Sequence, residues 1–274
     1  MKRTRLIGDL GRHTVLVVVL FLMIVPTLLM LVISVKDTSQ YAVNPYGLTF
    51  PFHWENYATA FRVMWRYLLN SIVLSAVTAV LVTFIGALSA YVFARFDFPG
   101  RKTLFYAFIG LIMIPSVLTL IPQFEVVRDL KLLNSWWALV LPWVALGQVT
   151  AVFLIRAFFE SLPSEVFEAA RLDGAGEFRV FLTMAVPMSK PILAVVALFN
   201  VLGTWNDVIW PLVTLNDKGL FPLALGLLRF RDSYYTAWGP LMAGYAIAAI
   251  PLLLLFIFAN RTFVEGAVAM KGRV

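Results

Sequence analysis

The sequence contains no cysteine and only two histidines, His13 and His53, among its 274 residues. Without cysteine the chain can form neither a disulfide nor a thiolate metal site, and two histidines so far apart cannot form the HExxH zinc motif. Charged residues are also scarce, at 14%, whereas soluble domains usually carry roughly a quarter. Hydrophobic residues make up 61% of the chain, which excludes disorder, leaves no room for a large soluble domain and indicates a polytopic membrane protein.

Six apolar runs are long enough to cross a hydrocarbon core of about 30 Å as helices. They predict an all-α fold with six transmembrane helices in a single domain over residues 1–274, at about residues 14–35, 67–93, 103–121, 135–155, 192–213 and 239–259. The first run resembles a signal peptide because Lys2, Arg3, Arg5 and Arg12 precede it. It exceeds the usual apolar length of such peptides and no A-x-A site follows, so we expect it to be a retained helix. Prolines 26, 115, 122, 142 and 251 lie within or beside these runs and predict kinks.

The basic residues predict the orientation of the spans. With both termini in the cytoplasm, fourteen of the 22 Lys and Arg residues fall in inside segments and eight fall outside. This distribution agrees with the positive-inside rule and accounts for the net charge of +7. The basic residues form no continuous face, so we expect no nucleic-acid binding. The outside loop Lys36–Arg66 is expected to be irregular, with a short helix near Trp54–Phe61.

The inside loop over residues 156–190 has its own helical signals. Ser164 is the predicted N-cap of a first helix, with Glu165 in its first turn, and Gly174 is the predicted stop. A second short helix is predicted from Glu177 to Met184. The two helices carry apolar side chains that have no evident local core: Val166, Phe167, Leu172, Phe178 and Phe181. Periodicity alone leaves two readings open, a partner surface or an amphipathic helix in the lipid interface.

A spaced motif in this loop resembles a known family. Glu168-Ala169-Ala170 is followed after three residues by Gly174, and nine further residues lead to Met184 and Val186-Pro187. This pattern resembles the EAA loop of ABC importer permeases, with Met184 and Val186 in place of the family's Ile and Leu. The resemblance implies the ABC importer permease (MetI-like) fold. It also implies an ATPase-coupling role for Glu168, Ala169, Ala170, Asp173, Gly174 and Pro187.

The resemblance further implies that the chain is a transport subunit and not an enzyme. No GxxxxGK[ST] phosphate loop occurs; the string from Gly100 to Thr103 lacks the upstream glycine and the Gly-Lys pair. The chain itself is expected to bind no cofactor and no metal, while ATP and Mg²⁺ belong to partner ATPases. The implied partners are a homologous permease, two ATP-binding cassette subunits, an extracytoplasmic solute-binding protein and membrane lipid. The implied location is the cytoplasmic membrane of a bacterium or archaeon.

Several further segments resemble the carbohydrate-uptake permeases of the maltose-transporter type. Trp205-Asn206-Asp207 followed by Trp210-Pro211-Leu212 is similar to a W-N-[DE]-x-x-W-P-L signature, and Asn56-Tyr57, Asn70-Ser71, Phe263-Val264-x-Gly266 and Lys271-Gly272 are also similar to that group. The resemblance implies import of a sugar by alternating access. Importers of glycerol-phosphate or another polar solute share these features, so that alternative stays open.

The polar residues of the fifth run have two interpretations. A carboxylate near the outer part of a span is costly, so Asp207 should face a cavity or a cation. The candidate solute-pathway residues are Asn200, Trp205, Asn206, Asp207 and Trp210, because sugar rings stack on aromatic faces and polar groups bind their hydroxyls. The alternative is an aromatic belt at the membrane interface, with Asp207 in headgroup water and Asn200 bonded to a neighbouring helix.

Two other classes of membrane protein are alternatives to an ABC importer permease. A channel or transporter without ATPase coupling would keep six spans but would leave the EAA-like motif without a role. An intramembrane enzyme is disfavoured because the sequence contains no HExxH, G-x-G-D or G-x-S-x-G motif.

Overall fold

The computed structural model describes residues 2–234 and 237–271, with side chains described for 12–234 and 237–257. Within these residues every regular element is helical and no strand occurs, which confirms the all-α prediction. The α-helices are α1 (Lys2–Ser34), α2 (Thr38–Val43), α3 (Glu55–Arg95), α4 (Arg101–Gly110), α5 (Ser116–Asp129), α6 (Trp137–Glu160), α7 (Ser164–Leu172), α8 (Glu177–Val180), α9 (Val186–Met188), α10 (Lys190–Asn206), α11 (Ile209–Thr214), α12 (Leu223–Ser233) and α13 (Trp238–Lys271).

Four of these helices are individually long and apolar enough to cross a membrane. They are Arg12–Ser34 of α1, all of α3, all of α6 and Trp238–Ile257 of α13. Two further candidates are bent pairs, so the described residues hold up to six crossings if each pair counts as one span. Pro26, Pro122, Pro142 and Pro251 lie inside helices that continue past them.

The third predicted span is not one helix. Arg101–Met113 and Ser116–Asp129 meet at an angle of 102°. Ile114 between them is extended, with φ −80° and ψ 114°, and Pro115 follows with ψ 129°. The proline ring disfavours helical backbone at the residue before it, so the chain turns here. The prediction of a single helix over 103–121 is therefore wrong.

The fifth predicted span is also interrupted. Helix α10 ends at Asn206, Asp207 is extended with ψ 120°, and α11 starts at Ile209. Pro211 explains this position, because its ring would clash with the carbonyl of the residue four places earlier, Asp207, in a continuous helix. The segment before α10 is likewise turned, since Glu177–Met188 and Lys190–Asn206 meet at 81°.

The second predicted span begins earlier than expected. The short helix predicted near Trp54–Phe61 and the span predicted at 67–93 are one helix, α3, with 41 residues. At 1.5 Å per residue it is about 62 Å long, roughly twice the thickness of a hydrocarbon core. Part of α3 must therefore extend beyond the membrane.

The chain divides into two compact units, the first formed by residues 1–65 and 227–251. In this unit the Asn56 amide donates to the Ser34 and Lys36 carbonyls, at 2.9 Å each. The Lys36 ammonium is buried and donates to the carbonyls of Asn44 and Gly47, and burial lowers its pKa. These bonds tie the loop after α1 to the start of α3.

The second unit comprises residues 66–226 and 252–274. Its spans approach each other closely at glycines: a Cβ built on Gly86 would lie 2.7 Å from the Ala151 Cβ, and one on Gly147 would lie 2.6 Å from the Asn200 Oδ1. Thr204 adds a buried hydrogen bond to the Ser75 hydroxyl at 2.8 Å. Small residues and interhelical hydrogen bonds of this kind are how helices associate in membranes.

Candidate functional site

Helix α7 carries the motif of the long inside loop. It begins at Ser164, and Pro163 occupies the N-cap position with no side-chain hydrogen bond. The predicted N-cap at Ser164 is thus one residue too late. Glu165 still lies in the first turn, where a carboxylate favours the positive end of the helix dipole.

The turn after α7 is a Schellman motif. Gly174 has a φ of +82°, its amide donates to the Arg171 carbonyl at 3.0 Å, and the Ala175 amide donates to the Ala170 carbonyl at 3.0 Å. Glycine adopts this left-handed conformation without steric cost. The prediction that Gly174 ends the helix is confirmed, and the turn gives α7 a defined end.

The second helix of the loop is longer than predicted. It runs through α8, a π-helical segment Phe181–Ala185 and α9, so it continues to Met188 instead of ending at Met184. Pro187 lies inside α9 and has no amide to donate. The wide π-helical turn lies directly before it, which is where the register of hydrogen bonds must change.

The apolar side chains of the loop divide into two groups. Phe167 and Phe181 are only 1% exposed, so the expectation that they lack a local core is wrong. Leu172 is 88% exposed and Phe178 is 58% exposed. Of the motif residues, Ala170 is buried, whereas Glu168, Ala169, Asp173, Gly174 and Pro187 are exposed. The structure therefore leaves one face of α7, with Glu168 and Leu172, uncovered in this chain.

An ion pair joins the two helices of the loop. The Arg171 Nε donates to the Glu177 Oε1 at 2.7 Å. This hydrogen bond raises the pKa of the Arg171 guanidinium. The pair closes over the Gly174 turn and holds α7 against α8.

Asp207 lies at the break in the fifth span and uses both carboxylate oxygens. Its Oδ2 accepts from the Trp143 Nε1 at 2.8 Å, and its Oδ1 accepts from the Trp210 amide at 3.2 Å. The Trp210 indole donates in turn to the Ala138 carbonyl at 2.9 Å. Asp207 thus accepts from one free amide in the first turn of α11 and ties the break to α6.

The other candidate pathway residues differ in their exposure and in their hydrogen-bond partners. Trp205 is 6% exposed and Trp210 is 4% exposed, so neither ring presents an open face in this chain. The Asn200 amide donates to the Val196 carbonyl at 2.9 Å, and the exposed Asn206 donates to the Leu202 carbonyl at 2.8 Å. Both asparagines bond to their own helix.

A cavity of about 270 Å³ adjoins Asp207. It includes the start of α5 at Ser116, together with Gln123, Trp143 and Trp210. Two helix breaks, at Pro115 and Asp207, therefore border one space. Sequence reasoning missed Gln123 and Trp143, because nothing local in the chain links them to residue 207. No group of three or more metal-ligating side chains occurs among the described residues.

Three relatives resemble the chain over most of its length. A family model described as "Binding-protein-dependent transport system inner membrane component" matches residues 83–266. The probable ABC transporter permease YurM of Bacillus subtilis is 33% identical over 97% of this chain and 89% of its own. The diacetylchitobiose uptake permease NgcG of Streptomyces coelicolor is 36% identical over 91% of this chain and 84% of its own length. The sn-glycerol-3-phosphate permease UgpE of Yersinia pestis is 32% identical over 95% of this chain and 96% of its own length.

The fold also matches a solved structure. A chain in the crystal structure of a bacterial ABC transporter that imports the acidic polysaccharide alginate superposes with a TM-score of 0.81. The match covers 95% of this chain and 98% of that one at 19% sequence identity. At this identity the likeness establishes the fold alone.

Proposed function

The chain belongs to the family of binding-protein-dependent transport system inner membrane components, and we propose that it is the permease subunit of an ATP-driven importer for a sugar. The observation that carries this proposal is the capped helix α7, whose exposed face presents Glu168 and Leu172. A short rigid helix with an exposed apolar side chain is suited to docking into a groove on a partner.

The proposed partner at α7 is an ATPase subunit. The proposed docking surface consists of exposed residues: Glu168, Ala169, Leu172, Asp173 and Gly174. Ala170 packs inward, and Pro187 lies on the second helix. The chain has no phosphate-binding loop, so ATP and Mg²⁺ would be bound by two separate ATP-binding cassette subunits. In this arrangement nucleotide-driven movement of the ATPases moves the loop over residues 156–190.

The proposed solute route passes the break in the fifth span. Irregular backbone at membrane depth is tolerated where it lines a cavity, and broken helices are a frequent sign of a transporter's binding region. The cavity beside Asp207 offers a carboxylate and the Gln123 amide, and such groups bind sugar hydroxyls. The relative NgcG, named for diacetylchitobiose uptake, favours a sugar, while the relative UgpE leaves glycerol-phosphate as the alternative solute.

The remaining partners follow from the family. Its description names a binding protein, which would deliver the solute from outside the cytoplasmic membrane. A second, homologous permease would complete the pathway, and both termini of this chain would lie in the cytoplasm as the basic residues predict. Transport would proceed by alternating access, with inward- and outward-open states whose populations ATP shifts.

Charge reversal on α7 tests the proposal. The tagged chain and its neighbouring gene products are produced together, and the ATPase retained by the chain is measured after purification in detergent. We expect Glu168→Lys to lose the ATPase while the permease stays inserted. Glu125→Lys is the matched control, because Glu125 is an exposed carboxylate on α5, outside this loop. Equal ATPase retention in both variants would contradict docking through Glu168.

The competing function, a transporter that works without an ATPase, is tested separately. The purified chain is reconstituted alone into liposomes and uptake of a labelled sugar panel that includes diacetylchitobiose is measured with and without ATPase subunits. We expect no uptake by the chain alone. Uptake without ATPase would overturn the proposed function.

A further inference from the structure

Two side chains at the end of α3 connect the second span to the loop that carries α7. Tyr91 and Arg95 lie one helical turn apart, so they share a face of α3. Tyr91 is 3% exposed, and its hydroxyl donates to the Glu177 Oε2 at 3.0 Å. Neither residue belongs to the EAA-like motif.

Arg95 binds the segment that leads into α7. Its Nη2 donates to the Phe159 carbonyl at 2.7 Å and to the Leu162 carbonyl at 3.0 Å. These carbonyls lie at the end of α6 and in the turn that leads to α7. The guanidinium carbon also lies 3.9 Å from the ring centre of Phe167, a buried residue of α7. The planar guanidinium thus satisfies two carbonyls and stacks on the Phe167 ring of α7.

Tyr91 packs among the rings on the inner side of the loop. Its ring centre is 5.4 Å from that of Phe181, 6.1 Å from Phe159 and 6.4 Å from Phe167. Its hydroxyl reaches Glu177, which also holds Arg171 of α7. The face of α3 therefore contacts α6, α7 and the second helix of the loop at once.

We propose that Arg95 and Tyr91 are positioning residues that make α7 and the second span move as one rigid body. The proposal rests on the proposed function, since it concerns how ATPase movement at α7 reaches the membrane. Phe167 and Ala170 of α7 already pack into a buried cluster with α3 and α6, and the bonds of Arg95 and Tyr91 add directed contacts to this apolar packing. Through the contacts of Arg95 and Tyr91, a displacement of α7 is transmitted directly to α3.

Distance measurements between spin labels test this rigidity. The chain has no native cysteine, so cysteines at the exposed Ser164 and at Val80, which is 66% exposed, give one defined pair of labels. Ser164 reports on α7 without altering the docking residues, and Val80 reports on the second span. The label pair is measured in the full chain alone and in the assembled transporter, without nucleotide and with ATP trapped by vanadate.

We expect the parent distance to be narrow and unchanged by nucleotide. In Arg95→Gln the distribution should broaden without nucleotide and shift with it, because the amide can neither bridge both carbonyls nor stack as a cation. Arg95→Lys should restore part of the narrow distribution, since an ammonium can bond the carbonyls but lacks the planar group. Tyr91→Phe, which loses only the bond to Glu177, should broaden it less.

Arg179→Gln serves as the matched control because Arg179 is an exposed residue of the same loop. Its distribution should equal that of the parent. A parent distance that shifts on nucleotide binding, or an Arg95→Gln distribution as narrow as the parent's, would overturn the proposal. If the ATPase fails to assemble with the parent chain, the proposed function fails, while the nucleotide-free comparison still tests the contacts.

Discussion

The strongest prediction concerns Asp207, which holds the break in the fifth span together. Replacing it with alanine removes the acceptor for the Trp143 indole and for the Trp210 amide. Hydrogen bonds to a charged group contribute about 1.5–3 kcal/mol each when removed. The lower end would give about 3 kcal/mol for the two bonds; because Asp207 is only half-buried and one of the bonds is 3.2 Å long, we take half of that, about 1.5 kcal/mol for the pair.

This loss of free energy predicts a faster hydrogen–deuterium exchange rate next to Asp207. Opening of the segment 208–214 should become easier by about tenfold, since 1.4 kcal/mol corresponds to a factor of ten. Hydrogen–deuterium exchange of peptides covering this segment, in detergent micelles, reads the opening directly. Asp207→Asn should accelerate exchange only about threefold, because its carbonyl oxygen can still accept one of the two bonds.

Asn206→Ala is the control for this experiment. Asn206 is the exposed neighbour of Asp207 and its side chain bonds only to the Leu202 carbonyl of its own helix among the contacts described. Asn206→Ala should therefore leave the hydrogen–deuterium exchange rate of residues 208–214 unchanged. If Asp207→Ala exchanges no faster than the parent, the carboxylate does not hold the break and our reading of its contacts is wrong.

Three further substitutions have defined outcomes. Gly147→Ala would place a Cβ 2.6 Å from the Asn200 Oδ1, whereas one at Gly203 meets nothing within 4 Å. We expect overpacking of about 1–3 kcal/mol, so Gly147→Ala should melt below Gly203→Ala in detergent, and equal melting temperatures would contradict close packing. Gly174→Ala forces a left-handed alanine at a cost of about 1–2 kcal/mol, which should speed amide exchange over 173–177; unchanged exchange would refute the strained turn. Leu172→Ser should leave the chain's melting temperature intact but reduce ATPase retention, and undiminished retention would exclude it from the docking surface.

The parts of the fold that were predictable depend on local patterns. Span positions follow from runs of apolar residues, and the end of α7 follows from Gly174, because a left-handed turn needs no information from elsewhere in the chain. The exposure of Glu168 likewise follows from local pattern, because Glu168 is a charged residue on a short helix with a polar face. These features are properties of ten or twenty consecutive residues, which a single sequence contains.

The break in the fifth span was missed, and the kink predicted at Pro115 is a complete break in the helix, because hydropathy gives the length of an apolar run and not the direction of the chain. Pro115 and Pro211 interrupt their helices, whereas Pro142 and Pro251 lie inside helices that continue. A proline frees a carbonyl and removes a donor in every case. Whether the helix continues depends on the surroundings of the proline, and at the break before Pro211 the Asp207 side chain is held by Trp143, which is far away in the sequence.

The burial of Phe167 and Phe181 was missed for a related reason. Helical periodicity places both on apolar faces but does not say which face meets another element. The surface that covers them includes Tyr91 on α3, more than seventy residues earlier in the chain, together with residues of α6. Only the pairing of α3 with the loop reveals that these rings form a core and that Leu172 and Phe178 remain outside it.

The two sequence-based readings of Asp207, a pathway residue or an ordinary interfacial carboxylate, are not the only choices. A carboxylate has about four lone-pair sites, and the bonds from Trp143 and Trp210 use two of them. The same side chain can therefore hold the break and still accept hydroxyl donors from a solute in the adjoining cavity. If it does both, Asp207→Asn should loosen the segment 208–214 and also alter the uptake KM, whereas a purely structural Asp207 would give faster exchange with an unchanged KM.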